Sequence, residues 1–229
     1  MDCNDHESGF SLIEMSIVLL IIGLIVGGIL KGQDLLESAK LKATMSQLNE
    51  FRIATNLFYD KYDALPGDFD QAQQMIHASL RNGNGNGVVE GAGLTLQGEG
   101  HESLSFWAHL AAAGLITDPG TMPSSGVARF GQGAPASKIG GGFTVKHNPA
   151  PGLEGHWFVL GKENGVSGDA ALLTPEQAHS LDRKMDNGDP FSGRVQARDG
   201  YGQSQGSCVH QGRYNLKNRK PACVLYVQF

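Results

Sequence analysis

Residues 10–30 read FSLIEMSIVLLIIGLIVGGIL and hold a single ionisable side chain, Glu14. Wound as a helix, such a run extends about 32 Å, enough to cross the hydrocarbon core of a bilayer. Beyond it the pattern changes. Leu41, Met45, Leu48, Phe51, Thr55, Phe58 and Tyr62 recur at steps of three and four, while Lys40, Lys42, Asn49, Arg52 and Asn56 fall on the other side. That spacing predicts an amphipathic helix, and it is too short to sustain coiled-coil heptads. No proline interrupts the chain between Phe10 and Leu65. One continuous helix of about 53 residues, roughly 80 Å long, is therefore expected. Its first half, residues 10–30, suits lipid; its second half, residues 31–63, would pack on a globular head spanning residues 64–229. Leu65-Pro66-Gly67 ends it.

Within the head, Asp68-Phe69-Asp70-Gln71 reads as a capping box opening a short helix to about Leu80. The Asn-Gly alternation of residues 81–87 predicts a loop. Leu104, Trp107, Leu110 and Ala111 share one face of a second helix over residues 103–113, ended by Gly114. Thr174 followed by Pro175 predicts a third, running to about Met185. Strand-like runs occupy residues 142–147, 156–161, 193–198 and 222–229. The expected fold is α+β, a long N-terminal helix packed on small helices and a mostly antiparallel sheet of four strands.

Composition narrows the class. The chain has 229 residues, 32 of them Gly, with 18% charged residues and a net charge of −5. This describes a loop-rich folded domain and excludes a disordered one. Asp2, Asp5 and Glu7 lie in the first nine residues. Without those nine, 18 basic residues face 20 acidic ones, leaving about −2. There is no basic stripe of the kind that binds nucleic acid. Of three cysteines, Cys3 stands apart, whereas Cys208 and Cys223 are fifteen residues from each other. Removal of residues 1–9 would leave an even pair suited to one disulfide in an oxidising compartment, worth roughly 3 kcal/mol by loop closure. The alternative is two independent buried thiols; no Cys or His spacing suggests zinc.

The apolar run is too long for a secretory signal, its flank is acidic, and no small-residue cleavage site follows it. A plain signal anchor fits the length but leaves Glu14 unexplained. An ionised carboxylate five positions into an apolar span is costly unless something pairs with it. A chain cut to begin at Phe10 would supply a cation, the new α-ammonium, on a neighbouring copy. Gly23 and Gly27 add a small-xxx-small spacing through which a second helix can approach.

Ser8-Gly9-Phe10-Ser11-Leu12-Ile13-Glu14-Met15 and the apolar run behind it resemble the prepilin processing motif of the type IV pilin-like and pseudopilin family. The resemblance implies a leader over residues 1–9, cleavage between Gly9 and Phe10 by a membrane aspartic prepilin peptidase, and N-methylation of Phe10. It implies that Glu14 pairs with the N-terminus of a neighbouring subunit during assembly. Other pilin subunits and an inner-membrane assembly platform are the partners it implies. Localisation would be a single pass of the bacterial inner membrane with the head in the periplasm, then a filament or the cell surface. Two features depart from the family pattern. The leader carries no Lys or Arg, while Lys31, Lys40 and Lys42 follow the span, so the charge rule alone favours the opposite orientation. Many major pilins have a proline where Lys31 stands, which makes this chain resemble a minor pilin. Residues 65–69, 82–87 and 181–190 are also similar to segments of minor pilin-like proteins. The resemblance extends alike to subunits of pili, of type II secretion systems and of DNA-uptake filaments.

Three further readings compete. The head of a membrane-anchored chain could be a binding or adhesion module at a filament tip. Asn82, Asn84, Asn86 and Gly87 partly mimic a calcium loop, with Glu90 as a further oxygen, and Asp182, Asp186 and Asp189 form a second oxygen-rich cluster. Flexible turns and a capped helix end explain both clusters without an ion, so no cofactor is expected, although some pseudopilins hold a structural calcium. Gly202-Gln-Ser204-Gln-Gly206 matches the nucleophile pattern of serine hydrolases. That pattern needs a strand before it, a helix after it and distant acid and His partners. There is no P-loop and no HExxH. The chain is expected not to be an enzyme.

Overall fold

The computed structural model describes residues 11–97, 100–121 and 126–229. Contacts divide the chain into two units, Met1–Lys40 and Leu41–Phe229. Helix α1, Leu12–Tyr62, is unbroken across that boundary. In the first unit every described residue is exposed. The stretch is long and apolar enough to cross a membrane, by length and composition.

The second unit buries one side of the remaining turns of α1. Leu41, Thr44, Leu48, Phe51, Ala54, Thr55 and Phe58 are inside, with Met45 and Tyr62 partly so. This is the predicted stripe, with Thr44 and Ala54 added to it. The Thr55 hydroxyl avoids an unsatisfied burial by donating back to the Phe51 carbonyl at 2.8 Å. Phe51 is the hub of the core. Its ring meets Trp107 and Phe143 edge-on, centroids 5.0 and 5.1 Å away, and Phe158 at 6.2 Å. Such pairs add about 0.5–1.5 kcal/mol each beyond the area they bury. Trp107 belongs to α3, Glu102–Ala112, which Gly114 ends at φ +73°. There Leu115 donates to the Leu110 carbonyl at 3.0 Å.

Strands β3 (Gly142–His147), β4 (His156–Asn164), β5 (Ser167–Ala170), β6 (Val195–Asp199) and β9 (Cys223–Gln228) make one sheet. Its order is β3-β4-β9-β6, with β5 pairing the far end of β4, and every pairing is antiparallel. Period-2 alternation sorts its faces. Phe158, Leu160, Leu225 and Val227 join the main core, while Trp157, Val159, Val224 and Tyr226 pack with Leu153 in a separate cluster. Helix α4, Pro175–Met185, begins in a complete capping box. The Thr174 hydroxyl accepts from Gln177 N at 3.2 Å, and the Gln177 side chain accepts from Thr174 N at 2.9 Å. Residue pairs β1 (Arg129–Phe130) with β2 (Gly133–Ala134) and β7 (Val209–His210) with β8 (Arg213–Tyr214) tie two loops.

The expected α+β class and mostly antiparallel sheet hold, with two corrections. The sheet has five strands; β5 follows β4 through a two-residue turn at Gly165-Val166. And no capping box opens at Asp68. Helix α2 covers only Ala72–Met75, and its N-cap, Gln71, makes no side-chain cap. Asp68 is drawn away to the loop at residues 82–90, where both its oxygens are used.

Candidate assembly site

Glu14 lies in the first turn of α1. Its Oε2 accepts from the backbone N–H of Ser11 at 2.8 Å, Ser11 Oγ accepts from Ile13 N at 3.3 Å, and Met15 N donates to the Ser11 carbonyl. Ser11 and Glu14 thus form a reciprocal cap that covers orphan donors of the helix start, and a carboxylate there also suits the positive end of the helix dipole. The S-x-x-E spacing ahead of an apolar run is the sequence signal of this cap, and the lone charge in the apolar span obscures it. Glu14 already has a neutral partner in its own chain, one residue beyond Phe10. Gly9 and Phe10 lie outside the described residues.

Gly23 and Gly27 sit on α1 with nothing within 4 Å of where a Cβ would be, and the same holds for Gly28 and Gly32. The helix backbone is uncovered at all four positions. Leu12, Leu19, Leu24, Leu30 and Leu35 are likewise exposed.

In the head, the other candidates are engaged in holding loops. Asn84 and Asn86 side-chain amides donate to the two oxygens of Glu90, at 2.9 and 3.3 Å. The Asn82 carbonyl oxygen takes Gln73 N. The same loop is pinned from beneath by Asp68, which accepts from Asn86 N and Gly87 N, and by Glu102, which accepts from Asn84 N and Glu90 N. Glu102 is 1% exposed, and burial raises its pKa. Two histidines complete the clamp. His109 accepts from Gly67 N through Nδ1 and bonds the Arg81 carbonyl through Nε2, while His156 Nε2 accepts from Val89 N. Burial lowers the pKa of each to about 4, and the neutral imidazoles can therefore act as acceptors.

Asp182, Asp186 and Asp189 serve similar ends. Asp182 accepts from Tyr214 OH at 2.7 Å and from Gly188 N at 2.9 Å, and burial raises its pKa. Asp186 accepts from Arg194 N and Val195 N, and Asp189 from Phe191 N. Among the described residues no group of three or more His, Cys, Asp or Glu is arranged to hold a metal. Ser204 is exposed in a turn, with β6 before it but no helix after it, and the neighbouring Asp199 caps Gly206 N and Cys208 N. The elbow required of a hydrolase nucleophile is missing. Cys208 and Cys223 form a disulfide, fully buried, which fastens the loop at residues 200–222 to strand β9.

Residues 4–30 match the prokaryotic N-terminal methylation motif. The match takes in Glu14, Gly23 and Gly27 and stops where Lys31 follows. No curated protein and no solved structure matches the chain. Together with a helix able to cross a membrane, the motif supports anchoring by the N-terminus. Residues 4–30 are thus similar to the N-terminal methylation motif, the segment on which the resemblance to type IV pilin-like prepilins rests.

Proposed function

We propose that the chain is a structural subunit of a type IV pilus-like or type II secretion-like filament, assembled through α1. The observation that carries this reading is a methylation motif joined to a helix whose described residues 11–40 are all exposed. Prepilin peptidase would cut between Gly9 and Phe10, Phe10 would be N-methylated, and the mature helix would bundle with those of other subunits at an inner-membrane platform. Glu14 neutralises the α-ammonium of an incoming neighbour. Its Oε2 keeps the Ser11 amide, and the second oxygen receives the new charge. Gly23 and Gly27 let the helices approach. The head stands outside the membrane on the oxidising side, where its disulfide persists.

A Glu14→Ala chain tests the role of the carboxylate. It should be inserted and cleaved as usual, with an unchanged head, yet enter filaments at a small fraction of the normal amount. Normal incorporation of that variant would refute the pairing. Intact mass of the mature protein checks the processing itself; a species still starting at Met1 would overturn the filament reading altogether.

A further inference from the structure

The sequence holds five Asn-Gly steps, at Asn82, Asn84, Asn86, Asn164 and Asn187. Such steps are chemically labile, because a glycine amide without a neighbouring Cβ can attack the asparagine carboxamide. The fold treats the five unequally. Gly83 N donates to the Phe69 carbonyl at 2.8 Å and Gly85 N to the Asp68 carbonyl at 2.9 Å. Gly87 N donates to the Asp68 carboxylate at 2.8 Å and Gly188 N to that of Asp182 at 2.9 Å. Each of these four nucleophiles is held against an acceptor. At each, the asparagine Oδ1 is bonded as well, to Gln73 N, Asn86 N, Val88 N and Asp189 N in turn.

Asn164 is the exception. Gly165 begins the tight turn between β4 and β5 at φ +60°, and its amide donates to no group among the described residues. It is exposed, with open space where a Cβ would be. Among the described residues the Asn164 carboxamide is anchored through Nδ2 alone, which donates to Asp169 Oδ1 at 3.2 Å, and the carbonyl end takes no donor.

The geometry points to Asn164 as a site of spontaneous deamidation in the folded protein. Gly165 N, losing its proton to solvent hydroxide, attacks Asn164 Cγ. The Cγ–Nδ2 bond breaks, Nδ2 leaves as ammonia with a proton from water, and a cyclic imide remains. Water then opens that ring at either carbonyl, giving aspartate or isoaspartate at position 164. No oxidant or cofactor is needed. The product reverses a local interaction. Asp169 loses a donor and gains a like charge, and Lys146 Nζ, 3.2 Å from Asp169 and 2.6 Å from Ser167 Oγ, must serve two carboxylates. The isoaspartate form also adds a backbone methylene to the turn, whose Val166 carbonyl accepts from Leu94 N. The hairpin would loosen with age.

Peptide mapping of the full chain in detergent, aged in mildly alkaline buffer, tests this. Asn164 should convert faster than the other four by about tenfold or more, since their reaction waits for a hydrogen bond to open. The same chain in denaturant should convert at all five with similar rates. Intact Asn164 while Asn82, Asn84, Asn86 or Asn187 converts would overturn the assignment, as would the same ranking in denaturant. Asn164→Gln, which forms the ring far less readily, should leave the 162–170 segment unmodified over the same period; conversion there would count against the mechanism.

Discussion

One helix serves two solvents in this molecule. Over residues 11–40 α1 leaves its Ile, Leu and Val side chains exposed and opens at the Ser11–Glu14 cap. From Leu41 onward the same helix presents one apolar stripe, and the head closes over it with rings, carboxylates and imidazoles that are nearly all partnered. The contrast shows where each half finds its stability. The head is complete within one chain. Residues 11–40 are exposed throughout, an apolar surface of the kind that lipid or neighbouring helices cover.

The sharpest way to break this contrast is to cut the hub. Phe51→Ala should cost the head about 3–5 kcal/mol, read from denaturant unfolding of the detergent-solubilised chain, because three aromatic partners lose their centre. Leu24→Ala on the exposed half should leave that transition where it was. Next comes the disulfide. Replacing Cys208 and Cys223 with Ala should lower head stability by roughly 3 kcal/mol, with the C-terminal loop the first to lose amide protection in hydrogen exchange. Acid is the third probe. His109 and His156 titrate near 4 when folded and near 6.5 when unfolded, so the unfolded chain binds more protons between those values. Stability should therefore decline as pH falls from about 6.5 towards about 4. The raised pKa of Glu102 and Asp182 works the other way at the acid end and blunts the loss. His156→Phe, which can no longer accept from Val89 N, should show a shallower decline in urea midpoints. The mildest effect belongs to Thr174→Ala, about 1 kcal/mol, from removing one half of the α4 capping box.

Much of this was legible from local patterns. The stripe from Leu41 to Tyr62 repeats with the helical period, Thr174-Pro175 carries its cap within four residues, and the four longer strands fall on the strand-like runs read from the sequence. Glu14 stands out because a lone charge interrupts an apolar span. What escaped was decided far away in sequence. Asp68 looks like a helix cap, yet its oxygens are claimed by amides about eighteen positions later. Strand β5, Ser-Gly-Asp-Ala, has no apolar alternation and exists because a turn folds it onto β4. The acceptor roles of His109 and His156 depend on backbone partners 42 and 67 residues distant, which no spacing rule reveals.

Strand β9 has a bearing on biogenesis. It lies between β4 and β6, and it carries one sulfur of the disulfide. The sheet cannot close until residues 223–228 are at hand, so β4 and β6 wait unjoined while the chain between them and β9 is made. Late closure is thus built into strand order: β3, β4 and β6 are all made before the strand that joins β4 to β6.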